Sequence, residues 1–461
     1  MRRREEAKRS AGLGPRGPQS GVSTPPRAVT AGRLTSGTRG APARRCFSRG
    51  RAAAQGPAPI KALLLAALLA TLVACGGGGG SVPPGGGGPP PIANTVPVVS
   101  NLGVNGNSAD GLFTSVTVCV PGTSNCQTID NVLVDTGSFG LRLLGSQVSL
   151  PLTPSQDGNG DPLAECEAFA SSFNWGPVAT ADVVMAGEKA SAVPIQIMGQ
   201  SGFAAPPAAC TNGGLAENDT QATLGANGIL GVGVFGHDCG TGCAPGATST
   251  PAVYFGCPST GCVATLVALA DQVQDPVGLF PQDNNGVVIQ MPQVPDSGAP
   301  SVSGTLKFGI DTQADNAMSG VNVLAADGFG NFLTTFQPKT YSGSILDSGS
   351  NGIFFLDAQT LNLPACTNTA PGFYCPSTPV SFSATNMSAA GAGSAPAVWN
   401  VANAETLFNS ANAAFNNLAG PNTGSFDFGM AFFFSRTIYV GFNGAIIGSG
   451  AGSATGPFYA Y

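Results

Sequence analysis

The sequence contains few charged residues and only one histidine. Charged side chains make up 10% of the 461 residues, and the histidine is His237. A Ser-His-Asp or Cys-His enzyme needs an imidazole as its base, so any such mechanism would depend on His237. This residue lies among glycines and cysteines, in GHDCGTGC, with no activated nucleophile beside it. We therefore interpret His237 as a polar loop residue, which disfavours histidine-dependent catalysis.

Basic residues are scarce beyond the N-terminal segment. Fourteen of the 19 Lys and Arg residues lie at or before Lys61, whereas only two of the 25 Asp and Glu residues do. The later chain has five cations against 23 acids, a formal charge of −18, and phosphate binding needs clustered cations. We therefore expect no nucleic-acid partner. Residues 1–60 indicate a start site assigned too early or a disordered basic segment, with a basic nucleic-acid-binding arm as the alternative.

The apolar run before Cys75 is too short to cross a bilayer. It is ALLLAALLATLVA, 13 residues that follow Lys61, and this length is typical of a signal-peptide core. Its LVAC ending resembles a bacterial lipobox. We therefore predict that residues 61–75 are a lipoprotein signal, that Cys75 carries the lipid, and that this lipid anchors the protein to the bacterial envelope as an outer-membrane lipoprotein. A plain signal peptide with an incidental cysteine is the alternative.

Ten of the 12 cysteines follow Cys75. An even number in an exported chain predicts up to five disulfides, and Cys119/Cys126 and Cys366/Cys375 are close enough to close local loops. The pairing of the other six stays open: Cys166, Cys210, Cys239, Cys243, Cys257 and Cys262. The last four could also bind zinc, but their spacings do not repeat a C-x-x-C pattern, so disulfides are favoured.

Short strands dominate the rest of the pattern. Residues 76–96 begin GGGGGSVPPGGGGPPP, which is typical of a flexible tether. Beyond it, β-branched and aromatic runs such as GVVIQM and RTIYVGF are broken by Gly, Pro, Asn and Asp, and they predict strands. Some 370 residues exceed what one core usually holds, so we predict an N-terminal lobe at 97–290 and a C-terminal lobe at 291–461.

Helical spacing is clear in only two places. One is ATLVALADQV, residues 264–273. The other is residues 404–420, where Asn403 is the predicted N-cap and Gly420 the predicted stop.

One internal repeat places two aspartates in equivalent positions. VLVDTGSFGLRLL (132–144) aligns without gaps on SILDSGSNGIFFL (344–356). In both, an apolar entry leads to Asp-Thr/Ser-Gly-Ser, a variable residue, Gly and an apolar exit. Asp296 starts a third Asp-Thr/Ser-Gly tripeptide, Asp-Ser-Gly, but it lies between prolines without an apolar exit and indicates a loop turn. Asp135 and Asp347 instead end predicted buried strands, where an unpaired carboxylate is costly, so we predict that they pair.

Such a pair has a specific chemistry. Two carboxyl groups about 3 Å apart cannot both ionise, so they share one proton. The ionised group can take a proton from water while the protonated group donates to a scissile carbonyl. Gly137 and Gly349 would let the two backbones approach closely, and Ser138 and Ser350 can hydrogen-bond the carboxylates. This chemistry requires no metal and no cofactor.

The ordered set of motifs resembles the pepsin-like aspartic peptidases. Residues 227–233, NGILGVG, resemble the segment packed behind the first aspartate. Residues 304–311, GTLKFGID, resemble the opening of the second lobe's sheet, and residues 426–442 resemble the closing segment behind the second aspartate. Order and spacing agree over roughly residues 105–445. The whole chain also resembles proteobacterial lipoproteins catalogued as a domain of unknown function.

The resemblance implies an all-β, bilobal, pepsin-like fold with few short helices. It also implies catalysis by Asp135 and Asp347 on a polypeptide bound between the lobes of a monomer, without a metal or cofactor. In the family, hydroxyls at the positions of Thr136 and Ser348 bond across the lobes and fix the dyad.

Three positions depart from the family pattern. Phe169 stands near the flap tyrosine's place without its hydroxyl, and Trp175 is the candidate substitute. Arg142 replaces the tryptophan that partners the flap, and Asp427 occupies a position expected to be hydrophobic. Two hypotheses therefore stand: an aspartic endopeptidase, and a pepsin-fold peptide-binding or scaffold lipoprotein without useful turnover.

Overall fold

A computed structural model describes residues 93–211, 214–448 and 453–461. The predictions for residues 1–60, for the lipoprotein signal with Cys75, and for nearly all of the tether lie outside these residues. The described part contains 26 strands and five short helices, so the all-β prediction is confirmed. None of the helices in these ranges is long and apolar enough to span a membrane.

Thirteen strands precede residue 291. They are β1 (Thr95–Asn101), β2 (Gly111–Cys119), β3 (Cys126–Asp135), β4 (Phe139–Leu144), β5 (Thr153–Pro154), β6 (Leu163–Ala168), β7 (Ser172–Met185), β8 (Glu188–Met198), β9 (Ala216–Glu217), β10 (Gly228–Val232), β11 (Tyr254–Gly256), β12 (Val263–Ala264) and β13 (Gly286–Gln290).

Thirteen further strands follow. They are β14 (Val302–Phe308), β15 (Val323–Ala325), β16 (Phe332–Phe336), β17 (Lys339–Asp347), β18 (Ile353–Leu356), β19 (Val380–Met387), β20 (Ser394–Val401), β21 (Ala419–Gly420), β22 (Asn422–Gly429), β23 (Thr437–Gly441), β24 (Ile446–Ile447), β25 (Ala454–Thr455) and β26 (Phe458–Ala460).

The helices in the described residues are at most five residues long. They are α1 (Ala208–Thr211), α2 (Gln221–Leu224), α3 (Ala358–Leu361), α4 (Ala404–Phe408) and α5 (Met430–Phe433), with 3₁₀ turns at Gly240–Cys243, Leu269–Asp271 and Val277–Leu279.

Side-chain patterning separates surface strands from central ones. In β20 exposed and buried residues alternate over most of the strand, because one face of an antiparallel strand meets solvent and the other meets the core. Every residue of β4 and of β10 is buried, as is typical of strands covered on both faces. These two strands lie beside the first aspartate motif.

The same three-strand arrangement occurs twice. β3 pairs in parallel with β10, which pairs antiparallel with β4. β17 likewise pairs in parallel with β22, which pairs antiparallel with β18. In each case one Asp-Thr/Ser-Gly-Ser motif lies where two of these strands follow each other along the chain. The first motif starts at the end of β3 and continues into the loop before β4, and the second starts at the end of β17 and continues into the loop before β18. The internal repeat of the sequence is therefore a repeat of local structure.

One sheet continues across the predicted lobe boundary. β14 pairs with β1 on one side and with β13 on the other, and β13 also pairs with β23. The boundary at 290/291 falls between β13 and β14, which pair with each other from Val287–Phe308 to Gln290–Thr305. The division at this residue stays a prediction.

Both predicted helices are largely wrong. Residues 264–273 contain the end of β12 and one 3₁₀ turn, because their backbone amides bond to distant carbonyls: Thr265 to Tyr254, and Val267 to Cys243. In the second segment Asn403 does cap a helix, since its side chain accepts from the Thr406 amide. That helix, α4, ends at Phe408 rather than at Gly420.

Hydrogen bonds to distant residues explain why α4 ends before the predicted residue. The amides of Ala413 and Ala414 donate to the carbonyl of Ala299, and the Phe415 amide donates to Asp110 Oδ1 at 2.6 Å. These amides cannot bond within a helix while they hold distant partners.

Disulfides pair all ten cysteines after Cys75, which confirms the prediction of oxidised cysteines. The bonds are Cys119–Cys126, Cys166–Cys210, Cys239–Cys243, Cys257–Cys262 and Cys366–Cys375. The four-cysteine cluster is thus two local disulfides rather than a zinc site.

Candidate active site

The two aspartate loops meet in the protein interior. Asp135 is the last residue of β3 and Asp347 the last residue of β17. A glycine of the neighbouring parallel strand pairs with each: Gly231 with Asp135, and Gly429 with Asp347. Both aspartates have 0% exposure. The structure therefore brings together two acidic residues that are 212 positions apart in the sequence.

Glycine is required where each loop passes the opposite carboxyl group. A Cβ atom on Gly137 would lie 2.5 Å from Asp347 Cγ, and one on Gly349 would lie 2.5 Å from Asp135 Oδ1. Both distances are far below van der Waals contact, so any larger residue would separate the two loops.

Four reciprocal hydrogen bonds lock the loops together. Thr136 Oγ1 donates to the Leu346 carbonyl at 2.8 Å and accepts from the Ser348 amide at 2.9 Å. Ser348 Oγ donates to the Val134 carbonyl at 2.8 Å and accepts from the Thr136 amide at 3.1 Å. Because each hydroxyl uses both its donor and an acceptor, the loops are held with nearly twofold symmetry.

Each carboxylate receives matching local donors. Oδ1 accepts from the amide of the following glycine, at 2.8 Å in both loops. Oδ2 bonds the serine hydroxyl three residues on, at 2.6 Å for Ser138 with Asp135 and 2.8 Å for Ser350 with Asp347. Burial first, and then the charges of Asp135 and Asp427, raise the pKa of Asp347 well above its usual range. This favours a proton held by the pair.

A third aspartate touches the same site. Asp427 of β22 is 6% exposed, and its Oδ2 lies 2.7 Å from Ser350 Oγ. The sequence shows Asp427 as an acid in an apolar strand, within FDFG, but it does not show the contact with Ser350, 77 positions away. The signal that could have found it is the acid itself, two positions before the glycine that pairs with Asp347.

Arg142 organises a second buried acidic cluster that sequence reasoning missed. Its Nη2 lies 2.5 Å from Glu165 Oε1, 3.5 Å from Glu167 Oε2 and 3.6 Å from Asp238 Oδ2. One oxygen from each of the three acids lies within 4.8 Å of the others, a spacing that could hold a metal ion. The guanidinium is the cation among them, so we describe this cluster as an ion-pair network.

The network is electrostatically linked to the dyad. Burial raises the pKa of Glu167 to about 8; the charge of Arg142 opposes this, and the charges of Asp238 and Asp135 add to it. The acids outnumber the guanidinium three to one, so the network retains protons that exposed carboxyl groups would lose.

The structure places both flap candidates in hydrophobic clusters. Phe169 is 6% exposed and packs with Phe113, Leu144 and their neighbours. Trp175 is 3% exposed, and its indole N–H donates to the Ala204 carbonyl at 2.7 Å. Both side chains therefore pack their large apolar surfaces in the protein interior, and a flap role for either one stays a prediction.

Residues 90–461 match the model of the family described as "Protein of unknown function (DUF3443)". The chain belongs to this family. No curated protein matches this DUF3443 chain. Among solved structures it is similar to an aspartic proteinase from Irpex lacteus, at 14% identity and a TM-score of 0.47, over 80% of this chain and 96% of that one. This likeness is distant, since the identity and the TM-score are both low.

Proposed function

We propose that this protein is an aspartic endopeptidase that hydrolyses peptide bonds with Asp135 and Asp347 as its catalytic pair. One observation carries the proposal: two buried carboxyl groups face each other in loops locked by reciprocal hydrogen bonds. Such a pair shares a proton, because burial and mutual repulsion disfavour two charges.

The shared proton gives each carboxyl group a role. The ionised group removes a proton from a water molecule, and that water attacks the carbonyl carbon of an extended peptide. The protonated group donates to the carbonyl oxygen. Collapse of the tetrahedral intermediate then breaks the C–N bond, with a proton passed to the leaving nitrogen. The glycine amides and serine hydroxyls hold both carboxyl groups in place throughout.

The test is peptide cleavage at acid pH by wild type, Asp135→Asn, Asp347→Asn and the double variant. Each single substitution should abolish cleavage about as completely as both together, because residues that act as a unit are non-additive. The matched control is Asp296→Asn, which changes an exposed aspartate in an Asp-Ser-Gly turn outside the dyad. Wild-type cleavage by both single variants would exclude the dyad as catalyst.

The same site supports a second candidate function, a peptide-binding or scaffold protein without useful turnover. The observation in its favour is that both aspartates have 0% exposure, so substrate must displace whatever covers them. Peptide cleavage separates the two candidates, and a peptide-mimicking inhibitor of aspartic dyads tests the binding site that they share. Both predict a raised melting temperature with this inhibitor, but only the enzyme also cleaves peptides.

A further inference from the structure

The Ser350 hydroxyl lies between two carboxyl groups. Its Oγ is 2.8 Å from Asp347 Oδ2 and 2.7 Å from Asp427 Oδ2. A hydroxyl carries one hydrogen, and an ionised carboxylate can only accept. Both contacts are therefore hydrogen bonds only if Asp347 or Asp427 is protonated.

A second proton is required by the dyad itself. Asp135 and Asp347 are both fully buried, and each lies against the glycine of the other's loop, so they share one proton rather than ionise together. With that proton between Asp135 and Asp347, the two Ser350 contacts need another, and the three carboxyl groups hold two protons and one negative charge. This is one proton more than the two-aspartate mechanism uses.

The surroundings of Asp427 disfavour its ionised form. Asp427 is buried, and among the described residues its Oδ1 has no hydrogen-bond partner and no ion pair involves Asp427. Burial is the main cause that raises its pKa well above the usual range; the Ser350 hydrogen bond lowers it, and the charge of Asp135 raises it.

The other titratable groups near Asp427 supply no positive charge. They are Asp347 at the end of β17, Asp135 at the end of β3 and Tyr459 on β26. Two are acids, and the third is a buried phenol whose pKa is itself raised.

The arrangement exists on one side of the dyad only. Strand register places Ile229 of β10 where Asp427 stands in β22, because Gly231 pairs with Asp135 and Gly429 with Asp347. Ile229 is 2% exposed. Beside the first aspartate, an apolar residue therefore occupies the position equivalent to Asp427. The motif can form without an acid at this position.

We propose that Asp427 is a positioning residue that stores a proton for the dyad and exchanges it with Asp347 through the Ser350 hydroxyl. In the transfer, the O–H bond of Asp427 breaks as its proton passes to Ser350 Oγ, while the Ser350 hydrogen passes to Asp347 Oδ2. Asp427 becomes ionised, Asp347 becomes neutral, and Ser350 ends with one hydrogen as before. The transfer can return a proton to Asp347 after Asp347 has donated its own to the peptide carbonyl. This role of the transfer rests on the proposed function.

The experiment combines carboxyl-¹³C aspartate NMR titration with a pH profile of kcat/KM, on the full chain. In wild type, Asp427 should stay protonated well above the ordinary aspartate range, and its titration should move when Asp347 is changed to Asn. Asp427→Asn and Asp427→Ile, which copies Ile229, should lower the pH at which Asp347 titrates. Both should move the basic limb of kcat/KM to lower pH by about one unit, because Asp347 and Asp427 titrate as a coupled pair in wild type and Asp347 titrates without this partner in the variants.

Substitution of Ser350 tests whether its hydroxyl couples Asp427 to Asp347. Ser350→Ala should uncouple the Asp427 titration from Asp347, and Ser350→Thr, which keeps the hydroxyl, should restore the coupling. A fully ionised Asp427 at pH 5, or an Asp347 titration unchanged in both Asp427 variants, would overturn the relay. If no peptide is cleaved at any pH but the NMR coupling is present, the relay stands and the endopeptidase fails. If peptides are cleaved without coupling, the reverse holds.

Discussion

At the residue scale, the contribution of Glu167 to stability changes with pH in the opposite direction to that of an ordinary ion-paired acid. It is 2% exposed, and burial raises its pKa from 4.5 to about 8. An acid whose pKa is raised by folding stabilises the protein fully below its unfolded pKa, and this contribution is lost as pH rises through the folded value. The loss for Glu167 therefore falls between pH 4.5 and about 8 and amounts to about 5 kcal/mol.

Glu167→Gln should make the free energy of unfolding depend less on pH between 4.5 and about 8. We expect the free energy of unfolding, measured by urea denaturation from pH 4 to 9, to fall less steeply with pH than in wild type. Asp271→Asn, at an exposed acid, is the matched control and should keep the wild-type slope. An unchanged slope for Glu167→Gln would contradict a raised pKa at this residue.

A second prediction at the residue scale concerns the hydroxyl of Thr136. Thr136→Val keeps the shape of the side chain but leaves the Leu346 carbonyl and the Ser348 amide buried without their partner. We expect a loss of about 2 to 6 kcal/mol in the free energy of unfolding, since each of the two orphaned groups costs about 1–3 kcal/mol. Thr136→Ser retains the hydroxyl and should lose much less in the same measurement.

At the element scale, disulfides of different loop length should contribute unequally. Cys166–Cys210 joins β6 to α1 across a separation of 44 residues, whereas Cys239–Cys243 spans four. Loop entropy predicts that removal costs about 4 kcal/mol for the first and about 2 kcal/mol for the second. Paired Cys→Ala variants, compared by urea denaturation, test the order. Equal losses would mean that the longer loop is already restricted in the unfolded chain.

The ends of elements are where local pattern and structure disagree. Asn403 begins α4 as predicted, because a side-chain cap is a contact over three residues. The helix stops at Phe408 because later amides bond residues more than 100 positions away, such as Ala299 and Asp110. Helical spacing alone carries no information about such partners.

At the scale of the whole molecule, we propose that the protein acts at the bacterial envelope, held by a lipid on Cys75. The motif and the Gly/Pro stretch after it support this proposal. A Cys75→Ser variant should appear in the soluble exported fraction and no longer incorporate labelled fatty acid, while wild type fractionates with membranes. Membrane-bound, lipid-labelled Cys75→Ser protein would rule out this anchor.

The sequence by itself determined the features that depend on near neighbours or on composition. Strand patterning identified an all-β chain, the even cysteine count identified oxidised cysteines, and the repeated Asp-Thr/Ser-Gly-Ser motif pointed to Asp135 and Asp347. The sequence also supplied the residue types for the cross-loop bonds, since Thr136 and Ser348 have hydroxyls at equivalent positions. These features could be predicted because each is encoded within a few residues or repeated along the chain.

Only the tertiary structure decided which distant groups meet. It paired six of the cysteines, ended α4 at Phe408, and placed Phe169 and Trp175 in the core. It also brought Asp427 to Ser350, 77 positions away, and three acids to Arg142. The reason is physical: burial fixes the charge and hydrogen bonding of a carboxyl group through whichever groups surround it, and strand pairing selects those groups from anywhere in the chain.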